Sequence, residues 1–294
     1  MDSLFGSLVT AMVTPFKPDS EIDFQKTEEL VEILIEKGSD SLVISGTTGE
    51  SPTLSDEEKL ALFKVVVGAA KGRVKVIAST GSNWTKATID FCRKAEKTGV
   101  DGFLVVTPYY NKPPQEGLYR HFKEIAAAVG LPIMLYNIPG RTSVNMQAET
   151  TLRLAEIDNI IAIKESSGDF DQISAICAGA PKGFHVFSGD DSYLLPIMSV
   201  GGQGVVSAVG NIAGLEIKKL IKAFFAGDME TAIKQHHKLM PLTKALFVTT
   251  NPIPIKAALG LAGIIDVGDP RLPLIPLSED LRKGLKAVLD RYTF

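Results

Sequence analysis

The chain has 294 residues, 45% hydrophobic and 22% charged, and a net charge of −3, the composition of an ordinary globular protein with room for one large domain and an appendix. No basic stripe is present, which excludes nucleic acid or an anionic membrane surface as a partner and leaves small molecules or other subunits. With only Cys92 and Cys177, both in helical patterns, no apolar run near ~18 residues and no basic region opening the N-terminus, we expect no disulfide framework, membrane span or leader, and a reducing, cytoplasmic setting.

Leu8-Val9-Thr10-Ala11-Met12-Val13 is a short apolar segment stopped by Thr14-Pro15, and it reads as the first strand. Asp23 then caps a helix in which Leu30, Val31 and Leu34 recur at helical spacing and which Gly38 ends. The unit repeats. Ser41-Leu42-Val43-Ile44-Ser45 is a strand, Gly46-Thr47-Thr48-Gly49-Glu50 a loop, and Ser55 with Glu58 a capping box that opens the next helix. Val74-Lys75-Val76-Ile77-Ala78 leads to Gly81-Ser82-Asn83 and a helix through Lys97 ending at Gly99. Phe103-Leu104-Val105-Val106, Ile133-Met134-Leu135-Tyr136, the run from Ile160 to Lys164, Val186-Phe187-Ser188 and Val205-Val206-Ser207 complete the strands.

Eight short strands alternating with seven or more helical patterns, every roughly 25–30 residues, is the rhythm of parallel strands joined by helical crossovers. It predicts an α/β fold, a closed (β/α)8 TIM barrel over residues 1–225. A doubly wound open sheet is the alternative, but Thr14-Pro15-Phe16 is not the Gly-rich turn such a sheet places after its first strand. After Phe225 the strand signals stop. Helices are expected over 228–246, 252–261 and 278–290, broken by Gly263, Gly268 and the prolines 270, 273 and 276, so that 226–294 forms a small C-terminal helical domain.

The chemistry centres on Ile160-Ile161-Ala162-Ile163-Lys164-Glu165-Ser166-Ser167-Gly168. Its β-branched run is too short for a helix and its end is turn chemistry, which puts Lys164 at the C-terminal end of a strand. Such a lysine either leaves the core for water or pairs with Glu165, or it is buried as a neutral amine able to form a Schiff base. In a β/α barrel the strand ends converge on one rim, and there the chain collects Thr47, Thr48, Asn83, Tyr109, Tyr110, Tyr136, Arg141, Lys164, Ser188-Gly189-Asp190-Asp191 and Asn211. Singly, each has a plain reading as a cap, an interface aromatic or a loop charge. Together they bring an amine, proton-carrying hydroxyls and a carboxylate-binding guanidinium to one end of the barrel. His236-His237 lacks a third ligand, Gly201-Gly202-Gln203-Gly204 precedes a strand rather than opening a helix, and Asp190 and Asp191 read as caps for a helix beginning near Tyr193. No metal and no cofactor is therefore expected.

Six ordered motifs spanning nearly the whole chain carry a resemblance: Gly46-Thr47-Thr48-Gly49-Glu50-Ser51, Thr107-Pro108-Tyr109-Tyr110-Asn111-Lys112-Pro113, Tyr136-Asn137-Ile138-Pro139-Gly140-Arg141-Thr142, Ile163-Lys164-Glu165, Ser188-Gly189-Asp190-Asp191 and Asn251-Pro252-Ile253-Pro254. On these the chain resembles the dihydrodipicolinate synthases, in the group that includes N-acetylneuraminate lyase. The resemblance implies a Schiff-base-forming lyase of lysine and diaminopimelate biosynthesis, which condenses pyruvate with L-aspartate 4-semialdehyde to 4-hydroxy-tetrahydrodipicolinate. It implies a pyruvate imine on Lys164, proton transfer by Tyr136, and a relay through Thr47 and Tyr110. By the same likeness Thr48, Val206 and Gly189 form the pyruvate pocket and Arg141 receives the semialdehyde carboxylate. It also implies a homotetramer built as a dimer of dimers, in which a neighbouring subunit contributes Tyr110. The rival readings are another pyruvate-dependent aldolase, cleaving a sialic acid or a 2-keto-3-deoxy sugar acid, and a non-catalytic binding protein on the same barrel. Thr47 rather than serine, together with Arg141, argues against the sugar-acid rival. Where lysine-inhibited relatives carry two histidines and a glutamate, this chain has Asp56, Lys59 and Ala87, so weak or absent lysine inhibition is expected.

Overall fold

The computed structural model describes residues 3–294. Its strands are β1 (Leu8–Ala11), β2 (Ser41–Ile44), β3 (Lys75–Ser79), β4 (Gly102–Val106), β5 (Ile133–Asn137), β6 (Ile160–Glu165), β7 (His185–Ser188) and β8 (Gly204–Ser207). The crossovers between them are α1 (Phe24–Glu36), α2 (Asp56–Ala70), α3 (Thr85–Glu96), α4 (Gln115–Ala128), α5 (Pro139–Thr142), α6 (Ala148–Ala155), α7 (Phe170–Gly179) and α8 (Leu194–Ser199). Helices α9 (Gly210–Phe225), α10 (Met229–Leu246), α11 (Ile253–Leu261) and α12 (Glu279–Leu289) follow.

All eight strands pair in parallel and in chain order, and β8 closes on β1 through Val9 opposite Val206. The fold is thus a closed TIM barrel followed by helices. Two cores result from strand alternation. Val9, Val43, Ile77, Leu104, Met134, Ala162, Phe187 and Val206 fill the barrel, while residues of opposite parity such as Leu8, Leu42, Leu135 and Ile163 pack against the helices. Asp23 caps α1 by accepting from Lys26 N, and Ser55 with Glu58 forms the reciprocal capping box of α2.

Two sequence expectations are corrected. Arg141 sits in the one-turn helix α5, not in a loop, because Pro139 opens a turn in which Ser143 N donates to Pro139 O. Asp190 and Asp191 do not cap the helix near Tyr193. Asp191 instead turns back to accept from Ser207 Oγ and from the amides of Ala208 and Val209, tying down the turn between β8 and α9.

Candidate active site

Strand register builds the site. Tyr136 on β5 pairs with Lys164 on β6, and Lys164 with Phe187 on β7. Lys164 shares parity with Ala162, so its side chain enters the barrel, and the residue is only 7% exposed. Its Nζ stands 4.2 Å from the centroid of the Tyr136 ring, a distance at which the ring face attracts an ammonium. Lys164 neither leaves the core nor takes Glu165 as its partner. Glu165 faces the other way, and its buried carboxylate accepts from Asn137 Nδ2, Ser167 N and Gln172 Nε2. Burial raises the Glu165 carboxyl above its usual range against the pull of those donors. Burial likewise raises Asp190, and there the charge of Lys164 pulls the other way, so this acid lies within the electrostatic reach of the lysine.

Tyr136 also lines a cavity of about 420 Å³, together with Thr47, Tyr109 and Arg141, and with Asp56 and Lys59 of α2. Thr47 and Thr48 lie in the loop after β2. This loop needs Gly49, because a Cβ there would come within 3.0 Å of Ser45 backbone atoms and 3.1 Å of Met12 O. Thr48 is buried and its Oγ1 accepts from Asn251 Nδ2 at 2.9 Å. Asn251 O in turn accepts from Arg141 Nη2 at 3.3 Å. One residue between α10 and α11 thereby joins Thr48 to Arg141, the two groups for which the resemblance implies carboxylate binding. Val206 stands in the barrel core on β8, and Gly189 lies at the end of β7, where its amide donates to Glu165 O.

The structure does not bring every rim residue together. Tyr110 is 87% exposed, at a left-handed φ of 74°, and it is Tyr109 that lines the cavity of its own chain. Asn211 is fully buried, donating to Ala11 O and Ala208 O and accepting from Val13 N, so it stitches the ends of β1 and β8. Sequence reasoning gave no role to Asn251, although it stands in a quoted motif.

Beneath the loop lies a second buried lysine that sequence reasoning also missed. Lys256 Nζ of α11 is 2.9 Å from Glu50 Oε1, donates to Thr14 O and Asp269 O at 3.1 Å, and stands 4.2 Å from the Phe16 ring centroid. Glu50 Oε2 accepts from Arg271 N, and the Arg271 guanidinium reaches Glu58 of α2. Glu50 holds a left-handed φ of 57°, an unfavourable conformation for a residue with a side chain. Its fixed carboxylate anchors the Thr47-Thr48 loop in that geometry. Among the described residues, no group of three His, Cys, Asp or Glu side chains could hold a metal ion, and no helix is long and apolar enough to cross a membrane.

Comparison with known proteins gives a consistent result. Residues 4–292 match the model of the Dihydrodipicolinate synthetase family. The chain is 54% identical over 285 residues, covering 97% of this chain and 96% of its relative, to 4-hydroxy-tetrahydrodipicolinate synthase 1 of Halalkalibacterium halodurans. A crystal structure of a dihydrodipicolinate synthase from Bacillus anthracis superposes with a TM-score of 0.97 at 48% identity, covering all of both chains. The enzyme of Cyanidioschyzon merolae, crystallised with lysine bound, superposes with a TM-score of 0.96 at 46% identity over 98% of each chain.

Proposed function

The chain belongs to the dihydrodipicolinate synthetase family, and from that premise we propose how its barrel mouth condenses pyruvate with L-aspartate 4-semialdehyde to 4-hydroxy-tetrahydrodipicolinate, a Schiff-base lyase reaction of lysine and diaminopimelate biosynthesis. The observation that carries the reading is Lys164, buried on the inner face of the barrel beside Tyr136. Nζ attacks the keto carbon of pyruvate, and loss of water leaves an imine. The imine draws electrons from the methyl carbon, which gives up a proton and becomes an enamine nucleophile. Tyr136 carries protons at this centre, with Thr47 and Tyr110 relaying them to solvent. Thr48, Gly189 and Val206 form the pyruvate pocket, and Arg141 takes the carboxylate of the semialdehyde by paired N–H donors. The imine is made with the substrate, so the chemistry requires no resident cofactor.

A neighbouring subunit supplies Tyr110 in this reading, within a homotetramer built as a dimer of dimers. Its support is an exposed aromatic surface: Tyr110 at 87% and Trp84 at 63%, on loops tied by Asn111 Nδ2 donating to Asn83 O. We assign residues 1–225 to the catalytic barrel and 226–294 to a helical domain that braces the Thr47-Thr48 loop, and place the protein in the cytoplasm.

Lysine at millimolar concentration is expected to leave the rate nearly unchanged. Lys59, which lines the cavity with its ammonium 5.7 Å from the Phe91 ring, repels a second ammonium, and Ala87 offers no counter-charge. An inhibition curve reaching half-activity at sub-millimolar lysine would refute this. The reaction itself is tested by borohydride reduction with pyruvate, followed by intact mass and peptide mapping. A reduced adduct confined to Lys164 is the expected result, and turnover with aspartate semialdehyde but not with N-acetylmannosamine separates the synthase from a sugar-acid lyase. Folded protein without an adduct overturns the reading.

A further inference from the structure

Strand β6 delivers a second polar side chain to the mouth. Its ladders continue beyond Lys164, with Ser166 N donating to Asn137 O at 2.9 Å and Gly189 N to Glu165 O at 2.8 Å. Alternation therefore gives Ser166 the same face as Lys164, one layer nearer the opening. The Ser166 Oγ is shielded from solvent and makes no hydrogen bond with any protein group. It lies against Gly189, where a Cβ would fall 1.8 Å from Ser166 Oγ and 3.1 Å from Lys164 Cε. Gly189 is thus the residue that lets the hydroxyl and the lysine arm occupy adjoining space.

A buried hydroxyl without a partner is unfavourable, and alanine would fill the same place without that penalty. Within the protein the hydroxyl has no partner, which is the pattern of a group that finds one in a bound molecule. The partner is identified by layers. Of the groups assigned to pyruvate, Thr48 follows β2 and Val206 stands on β8, both away from β6, while Gly189 packs against both Ser166 and Lys164, so Ser166 adjoins the pyruvate pocket one layer nearer the opening. Ser166 follows β6, next to β5, after which Arg141 stands.

Resting on the imine reading above, we propose that Ser166 Oγ is a binding group for the acceptor, donating its hydrogen bond to the aldehyde oxygen as the enamine on Lys164 attacks. In that step the enamine electron pair forms the new carbon–carbon bond and its nitrogen returns to iminium. The carbonyl π pair moves to oxygen, which Ser166 steadies and which takes its proton from Tyr136. Arg141 and Ser166, after neighbouring strands, thereby hold the two ends of one short aldehyde acid.

Ser166→Ala and Ser166→Thr test this on the full-length protein. The alanine variant is expected to melt at or above the wild-type temperature, trap pyruvate on Lys164 under borohydride as the wild type does, and keep the pyruvate KM within about twofold. Its kcat/KM for aspartate semialdehyde is expected to fall about 10- to 100-fold, the effect of losing one donor to a developing oxyanion. The threonine variant, which keeps the hydroxyl, is expected to recover part of that loss. Wild-type kcat/KM for the aldehyde in Ser166→Ala overturns the proposal alone. Equal losses in melting temperature, trapping and both KM values overturn it in favour of a packing role. A wild-type chain that traps no pyruvate overturns the imine reading and this proposal with it.

Discussion

Two buried lysines define two regions of this molecule. At the barrel mouth, Lys164 holds its ammonium 4.2 Å from the Tyr136 ring centroid, with no carboxylate among its hydrogen-bond partners in the described residues. At the seam between barrel and C-terminal helices, Lys256 holds its own 4.2 Å from the Phe16 ring centroid, but it is matched by Glu50 at 2.9 Å and two backbone carbonyls. The same side chain, at similar depth and over a similar ring, does opposite work. With all three donors satisfied, Lys256 has become a structural cation that fixes a loop. Lys164 leaves its donors without a protein hydrogen-bond partner among the described residues, which suits the imine role proposed for it. Burial makes a lysine costly, and its partners decide whether the cost yields rigidity or reactivity.

The largest effect that would sharpen this contrast is on activity. Lys164→Ala is expected to lose roughly 10³-fold or more in kcat and to show no borohydride adduct, while its denaturation midpoint stays level or rises, because a buried ammonium with no hydrogen-bonded carboxylate is removed. A large loss of stability would make Lys164 structural and break the comparison.

The seam should respond in the reverse order. Lys256→Met leaves the Glu50 carboxylate buried without its cation, and a loss of about 3–5 kcal/mol is expected in chemical denaturation. Pairing it with Glu50→Gln should restore more than half of that stability, since an amide can still accept from Arg271 N. Kinetically, Lys256→Met should show first as a raised KM for pyruvate, through the loosened Thr48.

The smallest effect concerns a buried group that belongs to neither lysine. His121 of α4 is 5% exposed, bonded at Nδ1 to Thr85 Oγ1 and unpartnered at Nε2, and burial lowers its pKa to about 4. The unfolded chain takes up this proton near 6.5 and the folded chain only near 4. Its contribution is therefore complete above pH 6.5 and lost as the pH falls through that window, at most about 3 kcal/mol. His121→Gln should flatten that part of the stability profile without changing the rate at neutral pH. An unchanged profile would show that burial alone sets the balance less than partners do.

Much of this architecture is local and so was legible in the residues. Asp23 and the Ser55–Glu58 box fixed helix starts, short β-branched runs marked the strands, and the rule that strand ends converge placed Lys164, Tyr136, Thr47 and Arg141 on one rim. The less legible features are pairings at long range. Lys256 reads as an ordinary helical lysine until Glu50, 206 positions earlier, is brought to it, and Asn251 acquires its role only when Thr48 and Arg141 arrive on either side. Asp191 looked like a helix cap because the nearest helix in sequence was not the nearest backbone in space.

By itself, then, the sequence determined the period of the strands, the caps and the end of the barrel on which Lys164, Tyr136, Thr47 and Arg141 collect, since each depends on residues a few positions apart. The tertiary structure alone decided which lysine would be neutralised by a carboxylate, which hydroxyl would be buried without a partner and which tyrosine would face outward. Those outcomes depend on the low-dielectric contacts that form only when β8 closes on β1 and the C-terminal helices dock beneath the β2 loop.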